Sequence, residues 1–142
     1  MLYYIYMYSN KYKKDRAFGL MCEEKCKTKI EDYLNTKLKK TKGKYHNFDF
    51  VDKKNKIYVE LKSNRCLSTQ YKYSIFSIYK LYFIQNNPSY KYYIAFKFID
   101  ALLIFKFKRH KIFFKDCGRT DRGKNEIKKY CCVYNSHLKK IE

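Results

Sequence analysis

The chain has 142 residues, 33 Lys and Arg against 13 Asp and Glu, a formal charge of +20, and a content of 46% hydrophobic and 20% aromatic residues. That size and apolar content suit one domain with one modest core and make a second independent domain unexpected. The charge points to a polyanion, nucleic acid before an anionic membrane surface, because each neutralised phosphate releases counterions. An AT-rich coding sequence also yields many Lys, Asn and Tyr, so the charge alone does not decide.

Residues 1–8 lack the basic start, aliphatic run and small-residue cleavage site of an export signal. An intracellular protein, in the nucleus or cytoplasm, is expected. The most apolar later stretch, 92–107, is broken by Lys97, Asp100 and Lys106 and falls short of the roughly 20 apolar residues that a spanning helix needs. No membrane association is expected. The six cysteines include no CxxC pair, and His46, His110 and His137 form no ligand pattern, so neither a disulfide framework nor a structural zinc is expected.

Residues 20 to about 40 place Cys26, Ile30, Tyr33, Leu34 and Leu38 at three- and four-residue steps, which predicts an amphipathic helix. Glu23 lies on its apolar face and Glu24 on its solvated side. Two alternating runs, 45–52 and 57–62, flank Lys53-Lys54-Asn55-Lys56 and predict a β-hairpin. With that loop, Asp52 pairs with Ile57, Phe50 with Val59, Asp49 with Glu60 and Phe48 with Leu61. Phe48, Phe50, Val59 and Leu61 then share a buried face, and Asp49, Glu60 and Lys62 share the other.

Residues 68–85 carry Ile75, Ile78, Tyr79 and Tyr82 at helical spacing, with Ser68 as the N-cap and Pro88 as the stop, and predict a second helix. Tyr73, Tyr79 and Tyr82 are expected to pack rather than to serve as base platforms. Alternation returns over 92–98 and 102–107 around Ile99-Asp100, predicting another hairpin, to which 111–114 adds a strand. From Asp116 a loop is expected, leading to a short helix near 125–130.

Two carboxylates meeting across a strand pair, with a lysine two residues beyond the second, make a site for a hard divalent cation and a water. Asp49 and Glu60 would hold the ion, with the carbonyl of Leu61 as a third ligand. Lys62 would orient the water and offset charge on the phosphate. For Glu-x-Lys alone, an exposed cross-strand ion pair is the commoner explanation.

Asp49 followed after ten residues by Glu60-Leu61-Lys62-Ser63 resembles the PD-(D/E)XK nuclease motif, with Asn47-Phe48 where some members have proline. The order of elements over residues 20–98 is similar to that family's core. The resemblance implies one α/β domain of restriction-endonuclease-like fold spanning 1–142, a mixed central sheet flanked by helices in an αβββαβ-type core. That core would cover about 19–107, with a basic extension over 108–142.

It further implies a deoxyribonuclease dependent on Mg²⁺ or Mn²⁺, with DNA as partner and the oligomeric state open between monomer and homodimer. Its catalytic set would be Glu23, Asp49, Glu60 and Lys62, with Glu24 replacing Glu23 if the helix is rotated. Gln70 matches a family position that contacts the site, or is a polar residue of the first helical turn. Lys80 on the second helix, with Arg119, Arg122 and Lys124 of the Gly118–Lys124 stretch, would contact nucleic acid; that stretch is otherwise a solvated turn. The tail resembles small nucleases of large DNA viruses and phages. A junction resolvase, or a non-cleaving nucleic-acid-binding module of the same fold, are the alternatives.

Overall fold

The computed structural model describes residues 22–43, 46–119 and 126–142. Helix α1 covers 22–34. Strands β1 (Lys39–Lys40), β2 (Phe50–Asp52) and β3 (Ile57–Ser63) follow, then β4 (Tyr73–Ser77), helix α2 (Ile78–Asn86), β5 (Lys91–Lys97), β6 (Leu102–Lys106), β7 (Ile112–Arg119), β8 (Glu126–Tyr134) and β9 (Lys139–Lys140). A six-stranded sheet runs β1-β2-β3-β5-β6-β9, and a three-stranded sheet runs β4-β8-β7. Only β3 and β5 pair in parallel, so the larger sheet is mixed and open. The result is an α/β domain with helices on both faces of a central sheet.

The central strands are apolar on both faces because both are covered. Ile57, Val59, Ala95, Leu102 and Ile104 pack with Cys26 and Ile30 of α1. On the opposite face Ile94, Phe96, Leu103 and Phe105 pack with Leu81 of α2 and with Phe76, Ile112, Cys131 and Val133 of the smaller sheet. Residues beyond 107 therefore belong to the same core as residues 76–105.

The β2-β3 register pairs Asp52 with Ile57 and Phe50 with Val59, as the loop length requires. Asp52 anchors that turn: its carboxylate accepts from the Thr36 hydroxyl, from the Asn55 amide at 3.1 Å and from Asn55 Nδ2 at 2.7 Å. The Thr36 hydroxyl, above all, holds Asp52 below the usual carboxylate range. The β5-β6 register is likewise set by the turn at Ile99-Asp100.

Several expectations are corrected. Helix α1 stops at residue 34, before Lys40: Asn35 takes φ +51, and the Thr36 amide reaches back to the Glu31 carbonyl at 3.1 Å, a left-handed C-terminal cap. Lys39 and Lys40 then pair with Val51 and Phe50 as a short edge strand. Phe48, expected beside Phe50, turns to the other face and packs with Ile84, Tyr92 and Tyr58, because residues 47–49 bend before β2 begins.

The helix expected over 68–85 is split. Residues 73–77 alternate buried Ser74 and Phe76 with half-buried Tyr73, Ile75 and Ser77, and pair with β8. Ser68 caps no helix; its amide and hydroxyl both donate to Asp100 at 2.7 Å. The N-cap is Ser77, whose hydroxyl accepts from the Tyr79 amide at 3.2 Å. Leu81 and Ile84 are buried, while Tyr79 and Tyr82 are exposed rather than packed. Ser77→Ala is expected to lower stability by about 1 kcal/mol, read as a shifted urea midpoint, whereas Ser68→Ala should leave α2 intact.

The strand expected over 111–114 does not join the β5-β6 hairpin. It belongs to β7, which pairs with β8 from Ile112–Val133 to Arg119–Glu126, and residues 126–130 are strand where a short helix was expected. Among the described residues no helix is long and apolar enough to cross a membrane, and all six cysteines are free.

Candidate active site

Strand β3 sends Ile57 and Val59 toward α1 and Tyr58, Glu60 and Lys62 toward α2, since alternate residues face opposite ways. Asp49 precedes β2 and reaches β3 directly: its Oδ2 accepts from the Leu61 amide at 2.9 Å. The N–H and C=O of one strand residue face the same neighbour, so the Leu61 carbonyl is directed to the same edge as that amide. The Leu61 side chain packs on the α1-side cluster.

Glu60 forms an ion pair with Lys80 of α2, Oε2 to Nζ 3.1 Å, and the two side chains are only 14% and 12% exposed. Lys80 also donates to the Asn47 carbonyl and lies over the Phe48 ring, 5.2 Å from its centroid. That ring belongs to an aromatic cluster with Tyr58, Phe83 and Tyr92, which excludes water from one side of the ion pair. Burial, and then the Asp49 charge, push the Glu60 carboxyl up to about 7, against the pull of Lys80 and Lys62.

Lys62 extends from β3 to the smaller sheet, where its Nζ donates to the Ile75 carbonyl at 3.2 Å. Asp49, Glu60, Lys62 and Lys80 thus form one charged group at the edge of the β2-β3 hairpin, facing α2 and β4. The Asp49 charge raises the proton affinity of Glu60, and a cation beside the two carboxylates would offset that repulsion.

The other expected residues lie elsewhere. Glu23 pairs with Lys40 Nζ at 3.3 Å, and Lys40 stands opposite Phe50 on the face that α1 covers. The Glu60 carboxylate is on the α2 face. Glu24 is exposed. Among the described residues no group of three or more His, Cys, Asp or Glu is arranged around a metal position, and Glu23 does not join Asp49 and Glu60.

Gln70 lies in a turn before β4, not on a helix, and its Nε2 donates to the Tyr71 hydroxyl at 3.3 Å. Lys80, expected to contact nucleic acid from the second helix, is part-buried and paired with Glu60. Its signal was present in the sequence: it stands four residues before Ile84, and i and i+4 share a helix face. The Arg119 backbone closes β7, while Arg122 and Lys124 lie outside the described residues.

The donors fit a hard cation of the Mg²⁺ class, which takes oxygen ligands and commonly uses one or two carboxylates with several waters. They do not fit zinc, which would call for Cys or His at tetrahedral spacing. Comparison of the sequence with protein-family models and with curated proteins gives no match.

Proposed function

We propose that the chain is a metal-dependent nuclease that hydrolyses DNA phosphodiester bonds at the Asp49–Glu60 site, on a restriction-endonuclease-like fold. The observation that carries this reading is the juxtaposition of two carboxylates and two lysines on one hairpin edge, with Glu60 pushed up to about 7 by burial and by Asp49. Apart from β4, which joins the smaller sheet, the chain runs α1-β1-β2-β3-α2-β5, an α-β-β-β-α-β succession. The charge of +20 supports a polyanionic substrate.

Asp49, Glu60 and the Leu61 carbonyl would hold Mg²⁺ or Mn²⁺, which when bound supplies positive charge for the scissile phosphate and a water of lowered pKa. The Leu61 amide fixes the Asp49 carboxylate, leaving its second oxygen for the ion. Lys62, whose charge acts on Glu60, would hold the attacking water and offset charge gathering on the phosphate oxygens. Lys80 offsets the charge of Glu60, and with an ion held by the carboxylates it would be available to substrate phosphate.

A non-cleaving nucleic-acid-binding module is the second reading, and the Lys80–Glu60 ion pair favours it because that pair satisfies the acid without a metal. Incubation of the chain with supercoiled plasmid, a synthetic four-way junction and a single strand, with Mg²⁺, Mn²⁺ or EDTA, separates the two. Cleavage in the metal arms alone is expected, and binding without cleavage in every arm would establish the second reading.

A further inference from the structure

The smaller sheet β4-β8-β7 has one face in the core and one face outward. Phe76, Ile112, Cys131 and Val133 point inward and are all buried. The alternate residues Tyr73, Phe113 and Tyr134 lie on the other face with the buried Cys132; Tyr73 and Phe113 are half-buried, and none of the three rings belongs to a core cluster. Tyr134 is 47% exposed. Tyr73 stands opposite Tyr134 across β4-β8, and Phe113 opposite Cys132 across β7-β8.

The rings form one surface. Phe113 and Tyr134 stack with centroids 4.7 Å apart, and Tyr73 meets Phe113 edge-on at 5.6 Å. Lys115, outward and exposed on β7, donates to the Tyr73 hydroxyl at 2.6 Å and lies 4.9 Å from that ring's centroid. An ammonium carries three donors, so Lys115 retains others for a ligand.

This surface adjoins the charged site. Strand β4 is one of the two edge strands of its sheet among the described residues, and its Ile75 carbonyl is the group that Lys62 holds. Ile75 is two residues from Tyr73 and faces the same way. A polymer leaving Lys62 along this edge arrives on the aromatic face.

We infer that the outer face of β4-β8-β7 is a platform for single-stranded DNA, with unpaired bases stacked on Tyr73, Phe113 and Tyr134 and a phosphate on Lys115. Aromatic faces attract any base, and adjacent ammonium groups track the backbone. A duplex hides its base faces and gains only the charge term. A second copy is disfavoured as the occupant, because a two-fold interface would set Lys115 and its neighbours against their own copies on a chain of +20. The choice of DNA rests on the nuclease reading, whereas the platform does not require cleavage.

The test is equilibrium binding in EDTA, where no cutting intervenes, using fluorescent oligo-dT, a duplex of the same length and an abasic strand of the same length. Oligo-dT should bind tighter than the abasic strand. Phe113→Ala and Tyr134→Ala should each weaken oligo-dT binding roughly fivefold or more while barely changing duplex binding. Tyr79→Ala, at an exposed ring on α2, should change neither.

Photocrosslinking of a bromodeoxyuridine strand to the parent chain should map to peptides containing Phe113 or Tyr134, which decides the matter if a variant fails to fold. Equal affinity for oligo-dT and the abasic strand would overturn the platform. So would tighter binding of an oligoribonucleotide, or a dimer that Tyr134→Ala dissociates. Absence of cleavage in metal with these binding results intact would count against the nuclease reading only.

Discussion

Asp49→Ala and Glu60→Ala are each expected to lower Mg²⁺-dependent cleavage about a thousandfold or more, since a bound cation contributes several kcal/mol to charge stabilisation at the phosphate. Binding of uncut DNA in EDTA should persist. Each substitution removes a negative charge from a chain of +20, so affinity should if anything rise, with the salt dependence unchanged. Asp49→Asn keeps an acceptor for the Leu61 amide and should be as inactive as the alanine variant, which separates loss of the metal ligand from loss of that hydrogen bond. Single-turnover cleavage and fluorescence anisotropy give the two readouts. Parental cleavage by both alanine variants would remove the metal mechanism.

The second large effect is a pH dependence of stability in the metal-free protein. Glu60 titrates near 7 in the folded state against an ordinary 4.5, so between those values the folded chain holds a proton that the unfolded chain has released. Its contribution is fully present below about 4.5 and is lost as pH rises through about 7, a change on the order of 2–3 kcal/mol. Glu60→Gln keeps the shape and removes the titration. In EDTA the variant and the parent should have similar urea midpoints at pH 4.5, and the variant should be the more stable at pH 8.

Mg²⁺ should recover much of the parent's deficit at pH 8, because the ion binds the folded state and its carboxylates must be ionised to take it. The variant should gain far less. Other titrating groups cancel in the difference between the two proteins, so parallel stability profiles from pH 4.5 to 8 would mean that Glu60 is ordinarily solvated.

Short-range features were legible in the residues themselves. The four-residue loop Lys53–Lys56 sets the β2-β3 register over 50–52 and 57–59, because partners across an antiparallel pair keep a constant sum; the expected pairs Asp49–Glu60 and Phe48–Leu61 do not form, and Asp49 reaches β3 from the bend before β2, at the Leu61 amide. The turn at Ile99-Asp100 set β5 against β6 in the same way. Helix α1 was visible from the spacing of Cys26 and Ile30, but its end was not: Leu38 is buried and in phase, and only the left-handed Asn35 interrupts the helix.

Long-range pairing was decided by tertiary structure. Residues 73–77 satisfy both a period of two and, taken with Ile78, Tyr79 and Tyr82, a helical period; pairing with β8, more than 50 residues away, selects the strand. Residues 126–130 are strand for the same reason, since residues 115–119 of β7 pair with them and β4 joins on the other side from Tyr130 onward. The charges of the site divided likewise. Asp49, Glu60 and Lys62 stand close in sequence on one hairpin, whereas Lys80 arrives from α2 only because Leu81 and Ile84 bury that helix face against the sheet. Glu23, one turn ahead of buried Cys26, was drawn instead to Lys40, an edge-strand partner that the sequence periodicity had placed inside the helix.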